Sequence, residues 1–143
     1  MRSKAFWDAS ALALLCINLQ ANPEADHLFQ KYEMVVWWAA GIEIRSAIAR
    51  LERMRQITNQ DTSDAMVQLD DLKHRWQEID PTPSLRDLAE DLPHRYGLRA
   101  ADALQLAAAS AWTMHRPANR PFLSGDQKLL EAARHMGFRA IAV

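Results

Sequence analysis

The sequence predicts an α/β fold with a central, mainly parallel sheet flanked by helices on both faces. Three observations carry this. Short apolar runs rich in β-branched and aromatic residues alternate with longer segments whose apolar residues recur at helical spacing. Such alternation is what strand–helix–strand crossovers leave in a sequence, and they layer helices on both faces of a parallel sheet. The 143 residues suffice for a real core, and no linker, repeat or low-complexity tract divides them, so a single domain spans 1–143.

Ala5-Phe6-Trp7 is a short apolar run ending in Asp8 and reads as a buried strand. Asp8-Ala9-Ser10 leads into a helix over Ala11–Ile17. Asn22-Pro23 breaks the chain. Glu24–Tyr32 is a second short helix, with Ala25, Leu28, Phe29 and Tyr32 at helical spacing. Met34–Trp38 is the clearest strand. Gly41 opens a turn into the amphipathic helix Ile42–Arg55, whose Ile44, Ala47, Ile48, Leu51 and Met54 lie near one face. The polar stretch Asn59–Ser63 carries capping residues. Ala65–Ile79 reads as a helix with Met66, Leu69, Leu72 and Trp76 on one stripe, ended by Pro81 and Pro83. Ser84–Arg95 is helical, with Ser84 as N-cap and Asp87 three residues on. Pro93 disturbs its last turn and Gly97 is placed as a C-cap. Leu98–Ala111 is a helix apolar on almost every side, which requires burial. Pro117 and Pro121 bracket a loop before the strand Phe122–Ser124. Gln127–Met136 is a helix stopped by Gly137, and Arg139–Val143 is the last strand. Trp7, Trp37 and Trp38 lie in strand-like apolar runs, so core packing is favoured over stacking on bases.

Hydrophobic residues at 49% and charged residues at 24% are ordinary for a soluble globular domain. The net charge of -1 means that nucleic-acid binding has to rely on a local basic patch. One cysteine, Cys16, excludes an intrachain disulfide or a Cys-based metal site and reads as a buried thiol. The basic start followed by an apolar run imitates a secretory signal. Asp8 interrupts that run, and Ala11–Ile17 is too short to span a bilayer, so no membrane association and a cytoplasmic location are expected.

The acids carry the chemistry. Asp8 and Asp126 directly follow strands, and ligands of open α/β sheets bind beyond the carboxyl ends of strands. Glu43 and Asp102 lie in the first turns of their helices. All four occupy the same kind of position and are expected to share a pocket. Each also has a plainer reading. Asp8 and Asp126 suit helix N-caps, Glu43 suits the helix dipole, and Asp102 can pair with Arg99. Caps do not need the apolar settings Phe6-Trp7-Asp8-Ala9 and Ala101-Asp102-Ala103. Ser10 and Ser124 each lie two residues from an acid, where hydroxyls can steady a carboxylate. Clustered carboxylates repel unless a cation neutralises them. Oxygen ligands without His or Cys favour Mg²⁺ or Mn²⁺, whose Lewis acidity suits phosphodiester hydrolysis. The five histidines show no metal-ligand spacing.

Four motifs are similar to those of the PIN domain family, and within it to VapC-like toxins. They are Phe6-Trp7-Asp8-Ala9-Ser10-Ala11-Leu12, Gly41-Ile42-Glu43-Ile44-Arg45-Ser46-Ala47, Tyr96 to Ala107 around Asp102, and Phe122-Leu123-Ser124-Gly125-Asp126-Gln127-Lys128-Leu129. The resemblance spans the chain in the family's order. It implies a PIN-like three-layer sandwich in which Asp8, Glu43, Asp102 and Asp126 bind Mg²⁺ or Mn²⁺ and support RNA cleavage. Asp8, Asp102 and Asp126 would be the principal metal ligands, and Glu43 would act through water. It also implies a cognate antitoxin and a homodimer. Two details depart from the family pattern: Gln105 stands where His is frequent, and no further acid directly follows Asp126.

A metal-dependent endoribonuclease, the toxin of an antitoxin-regulated pair, is therefore the leading expectation. Arg45, Arg99 and Lys128 are the candidate phosphate contacts, and Leu12, Leu15, Ile17 and the apolar face of Ile42–Arg55 are candidate antitoxin contacts. The alternative is a non-catalytic module of the same fold that docks a protein or RNA. An Asp-nucleophile phosphatase ranks last, because position 10 is Ser where that chemistry wants a second Asp.

Overall fold

The structure, a computed structural model, describes residues 2–17 and 22–143. In chain order the elements are β1 (Ser3–Trp7), α1 (Ala9–Cys16), α2 (Pro23–Lys31), β2 (Tyr32–Trp37), α3 (Ala40–Arg53), α4 (Asn59–Lys73), β3 (Gln77–Ile79), α5 (Pro83–Tyr96), α6 (Ala100–Trp112), β4 (Pro121–Ser124), α7 (Gln127–Met136) and β5 (Arg139–Ala142). The strands form one sheet in the order β3-β2-β1-β4-β5, with every pairing parallel.

This order dictates three layers. From β1 the chain steps outward through β2 to β3, then crosses back to β4 on the other side of β1 and ends at β5. Right-handed crossovers running in opposite directions put their helices on opposite faces. The alternation of side chains along each strand divides accordingly. Phe6, Val35, Trp37 and Phe122 pack with α5, α6 and α7. Ala5, Trp7, Met34, Val36 and Leu123 pack with α1 to α4. Phe6 and Phe122 stack at 5.5 Å across the β1–β4 pair. The α6 helix is buried from Leu106 to Ser110, as its all-round apolar sequence requires, and burying Leu106 alone contributes about 2 kcal/mol.

Several boundaries differ from the sequence expectation, each for a local reason. Gln77–Ile79, read as the end of a helix, is the edge strand β3, paired in register with Val35, Val36 and Trp37. Two of its three residues are exposed, so neither period marks it, and pairing with β2 decides its state. The preceding helix starts earlier, at Asn59, because Thr58 and Asp61 close a reciprocal capping box. Thr82, not Ser84, caps α5, and Pro83 initiates that helix at N1 rather than ending the one before. The helix then runs through Pro93 to Tyr96, and Gly97 ends it at φ +66°, a left-handed conformation natural to glycine. Trp7 and Trp37 are interior, as expected, but Trp38 lies just past β2 and is half exposed. Cys16 is buried, and burial pushes its thiol up to about 12. Among the described residues, no helix is long and apolar enough to cross a membrane.

Candidate active site

The winding direction reverses between β1 and β4, and a crevice opens there at the carboxyl ends of the strands. Asp8 follows β1, and Ser124-Gly125-Asp126 ends β4. A cleft of about 190 Å³ at this point is lined by Asp8, Ser10, Glu43, Asp102, Gln105 and Asp126, with Ala9, Ala13 and Ala47 as its small walls. The four acids thus meet from the ends of two strands and the first turns of α3 and α6. Each layer of helices supplies one of them from a helix.

Asp8 is almost wholly buried. Its Oδ1 accepts from the Ala11 amide at 2.9 Å, which makes it the N-cap of α1. The Ser10 hydroxyl donates at 2.7 Å to Oδ1, and Ser124 donates at 2.6 Å to Oδ2. Ser10 Oγ also accepts from the Gly125 amide and Ser124 Oγ from the Asp126 amide. Both serines therefore tie the β4–α7 turn to Asp8, the steadying role expected of them. Asp126 caps α7 through the Leu129 amide. The plain capping reading and the site reading hold together for both aspartates, because a cap at a strand's carboxyl end also faces the crevice.

Glu43 is held from the opposite layer. Gln105 on α6 donates from Nε2 to Glu43 Oε2 at 2.9 Å. Among the described residues this is the one side-chain hydrogen bond that joins a helix of one layer to a helix of the other. Gln105 Oε1 is buried and has no protein donor. The sequence marked Gln105 only as a departure; its spacing, one turn after Asp102 on a buried helix, is the signal that places it in the cleft.

The electrostatics follow from crowding in a half-dry setting. Burial raises Asp8 to about 6, against the hydrogen bonds from Ser124, Ala11 and Ser10, with Asp102 adding repulsion. Burial also raises Glu43, opposed by the Gln105 bond and reinforced by Asp8 and Asp102. Asp102 is raised by burial and then by Asp126, and is lowered by Arg99 and Lys128. Arg99 does not pair directly with Asp102: the ion pairs among the described residues are Arg75–Asp71, Arg86–Glu90 and Arg95–Asp91. Lys128 and Arg99 both lie on the Asp102 side of the cleft, and Lys128 crosses Gly97, where an added Cβ would meet its Nζ at 3.5 Å. Arg45 is not brought to the cleft. It sits two residues past Glu43, on the other side of α3, and its guanidinium reaches Met66 Sδ on α4 at 3.3 Å.

The donor set is all oxygen, without His or Cys, and suits a hard divalent cation. Repulsion among Asp8, Glu43, Asp102 and Asp126 gives such a cation a charge to neutralise. Among the described residues no three of these groups stand ready-grouped around one point. That is compatible with Mg²⁺, which keeps much of its water and takes one or two carboxylates directly.

No family model matches the chain, and no curated protein matches it. Solved structures do. The PAE2754 protein of Pyrobaculum aerophilum aligns over 100% of this chain and 92% of its own at TM-score 0.68 and 19% identity. FitAcB of Neisseria gonorrhoeae aligns over 96% of each chain at 0.65 and 13%. A toxin–antitoxin complex from Klebsiella pneumoniae aligns over 87% of this chain and 88% of its own at 0.55 and 16%. At these identities the likeness is one of fold, and it extends over nearly the whole chain: the architecture is a PIN-like three-layer sandwich.

Proposed function

We propose that this chain is a metal-dependent endoribonuclease and the toxin component of a toxin–antitoxin pair. The observation that carries the reading is the convergence of Asp8, Glu43, Asp102 and Asp126, from widely separated parts of the chain, on one cleft at the switch point of the sheet. The fold shared with a chain of a toxin–antitoxin complex supports it. Asp8, Asp102 and Asp126 would hold Mg²⁺ or Mn²⁺. When bound, such an ion supplies Lewis acidity toward a phosphoryl oxygen. The chain's own residues do the rest. Ser10 and Ser124 fix the Asp8 carboxylate in one orientation. Gln105 fixes Glu43, which orients the attacking water and takes its proton. Arg99 and Lys128 hold the phosphates flanking the cut.

The antitoxin reading has a surface to match. An apolar groove of about 910 Å³, lined by Leu14, Ile17, Pro23, Leu51 and others, runs between α1, α3 and the start of α2. It shares Ser10, Ala13 and Ala47 with the acidic cleft. An amphipathic segment laid in the groove would end beside the acids, where a basic side chain would block them. Leu12, expected on this surface, is interior and belongs to the core; Leu14 takes its place. The protein is proposed to act as a homodimer.

The test is cleavage of single-stranded RNA with Mn²⁺, after EDTA, and after Mn²⁺ is restored. Activity should vanish and return. A second reading, a non-catalytic module of this fold, draws on the absence of a ready-grouped metal set among the described residues. Failure to cleave RNA with any divalent cation would decide for it.

A further inference from the structure

The pole of the sheet opposite the acidic cleft carries a second, oppositely charged pocket. It measures about 590 Å³ and lies where the strands begin. Four of its lining residues are cations: Lys4 at the start of β1, Lys31 at the end of α2, Arg120 just before β4, and Arg139 at the start of β5. No carboxylate lines it. Glu33 is the cross-strand neighbour of Lys4 by register, yet it stays outside the pocket. None of the four cations belongs to an ion pair among the described residues. In a chain of net charge -1, such a concentration of one sign is a local feature with a local field.

The cations are also positioned. The Arg139 amide donates to the Arg120 carbonyl at 2.9 Å, which sets the two arginines side by side. Arg139 Nη2 donates to the buried Tyr32 hydroxyl at 3.0 Å, and Lys31 Nζ lies 5.3 Å from the centre of the Tyr32 ring. Arg120 stacks on Trp112 at 4.3 Å, a contact that holds the guanidinium plane while leaving its edge donors free. Lys4 Nζ is held by Gln77 Oε1 at 2.8 Å. Two guanidinium forks beside two ammonium groups match phosphate oxygens.

We infer that this pocket is a second binding site for the phosphodiester backbone of single-stranded RNA, remote from the acidic cleft. It extends the proposed function and rests on it only for the choice of polyanion. The acid-lined cleft repels RNA outside the phosphate being cut, and Arg99 and Lys128 are the cations beside it. A basic pocket at the other pole supplies the missing attraction. A strand engaged at both poles must wrap the sheet, so the site binds long RNA better than short.

The experiment is fluorescence anisotropy with labelled single-stranded RNA of about 8 and about 30 nucleotides, in EDTA, so that hydrolysis plays no part. The double variant Lys31→Glu/Arg120→Glu is compared with the wild type and with Arg86→Glu, an exposed change on α5. Circular dichroism establishes that each is folded, and Lys4→Gln serves as a milder second variant. For the longer RNA the double variant should lose about tenfold or more in affinity, and the slope of log K against log salt should fall by about 1.4, for two phosphate contacts. Lys4→Gln should lose a smaller amount, and Arg86→Glu nothing. Unchanged affinity and slope in both pocket variants would overturn the inference. So would a change in sedimentation without a change in RNA affinity, which would make the pocket a contact between copies of the chain. Failure of the wild type to cleave RNA in Mn²⁺ is a separate matter: it would defeat the nuclease reading and leave the anisotropy result standing.

Discussion

At Asp8, one side chain serves as helix cap, as hub of two serine hydroxyls and as a wall of the cleft. Its carboxyl is raised to about 6 from an ordinary 3.8. Between about pH 4 and 6, then, the folded chain keeps a proton that the unfolded chain has released. The metal-free protein should be most stable below that window and lose on the order of 3 kcal/mol as pH rises through it. The upward shifts of Glu43 and Asp102 have the same sign. Thermal unfolding in EDTA from pH 4 to 8 checks this; a level wild-type profile would contradict it, and Asp8→Asn should flatten the slope. Asp8→Asn and Asp102→Asn should each lower RNA cleavage at least a hundredfold while raising the neutral-pH melting temperature without metal. Retained cleavage in both, at matched purity, would sink the ligand assignment. Gln105→Leu removes the bond to Glu43 together with the orphaned Oε1. Those two effects on stability oppose each other, so the melting temperature should move by only a few degrees. Cleavage should fall about tenfold or more, because Glu43 loses its anchor. The acids were legible in the sequence because strand ends and first turns fix where a side chain faces. The direction of Arg45 was not, since closeness in sequence to Glu43 says nothing about which side of a helix is wet.

Along α3 to α5, the elements divide into those that local chemistry decides and those that the sheet decides. Thr58 and Asp61 define the start of α4 through a capping box. Thr58→Ala should cost about 1 kcal/mol in denaturant unfolding and leave cleavage unchanged, because α4 contributes nothing to the cleft. Gly97, with φ +66° under Lys128, couples a turn to the rim of the site. Gly97→Ala should cost about 1 kcal/mol in denaturant unfolding for the left-handed backbone and leave RNA affinity unchanged, because the added Cβ meets Lys128 Nζ at 3.5 Å, an ordinary contact. A loss of RNA affinity in the folded variant would contradict this. Apart from α4, read six residues too late at both ends, the helices were legible to within two residues, and α6 announced its burial by having no polar side. β3 was not legible: three residues with two exposed carry no period of their own, and only the partner strand makes them a strand. Pro83 misled for a related reason, since proline ends one helix and begins another with equal ease.

Across the whole molecule, charge is separated along the strands, acid at the carboxyl pole and base at the amino pole. Binding to RNA should therefore weaken steeply with salt, and Arg99→Ala and Lys128→Ala should each weaken it and reduce the salt slope by about 0.7; unchanged affinity and slope would remove these two from the interface. A cognate antitoxin added in stoichiometric amount should abolish cleavage, and sedimentation at micromolar concentration should give a dimer. An antitoxin that binds without inhibition would reject the blocked cleft, and a monomer would reject the dimer. The strand order carries a further consequence, for the moment of synthesis. β1, β2 and β3 with α1 to α4 are complete by Ile79, yet β1 is then the open edge of that half-sheet. Its neighbour β4 and the last acid, Asp126, emerge from the ribosome only after α5 and α6 have been made. At about 5 to 20 residues per second, the nascent chain spends seconds with an unfinished cleft. The proposed hydrolase is thus harmless while it is being made, and the groove between α1 and α3 exists before the cleft does. An inhibitor waiting at the ribosome meets its docking surface first and the finished enzyme second.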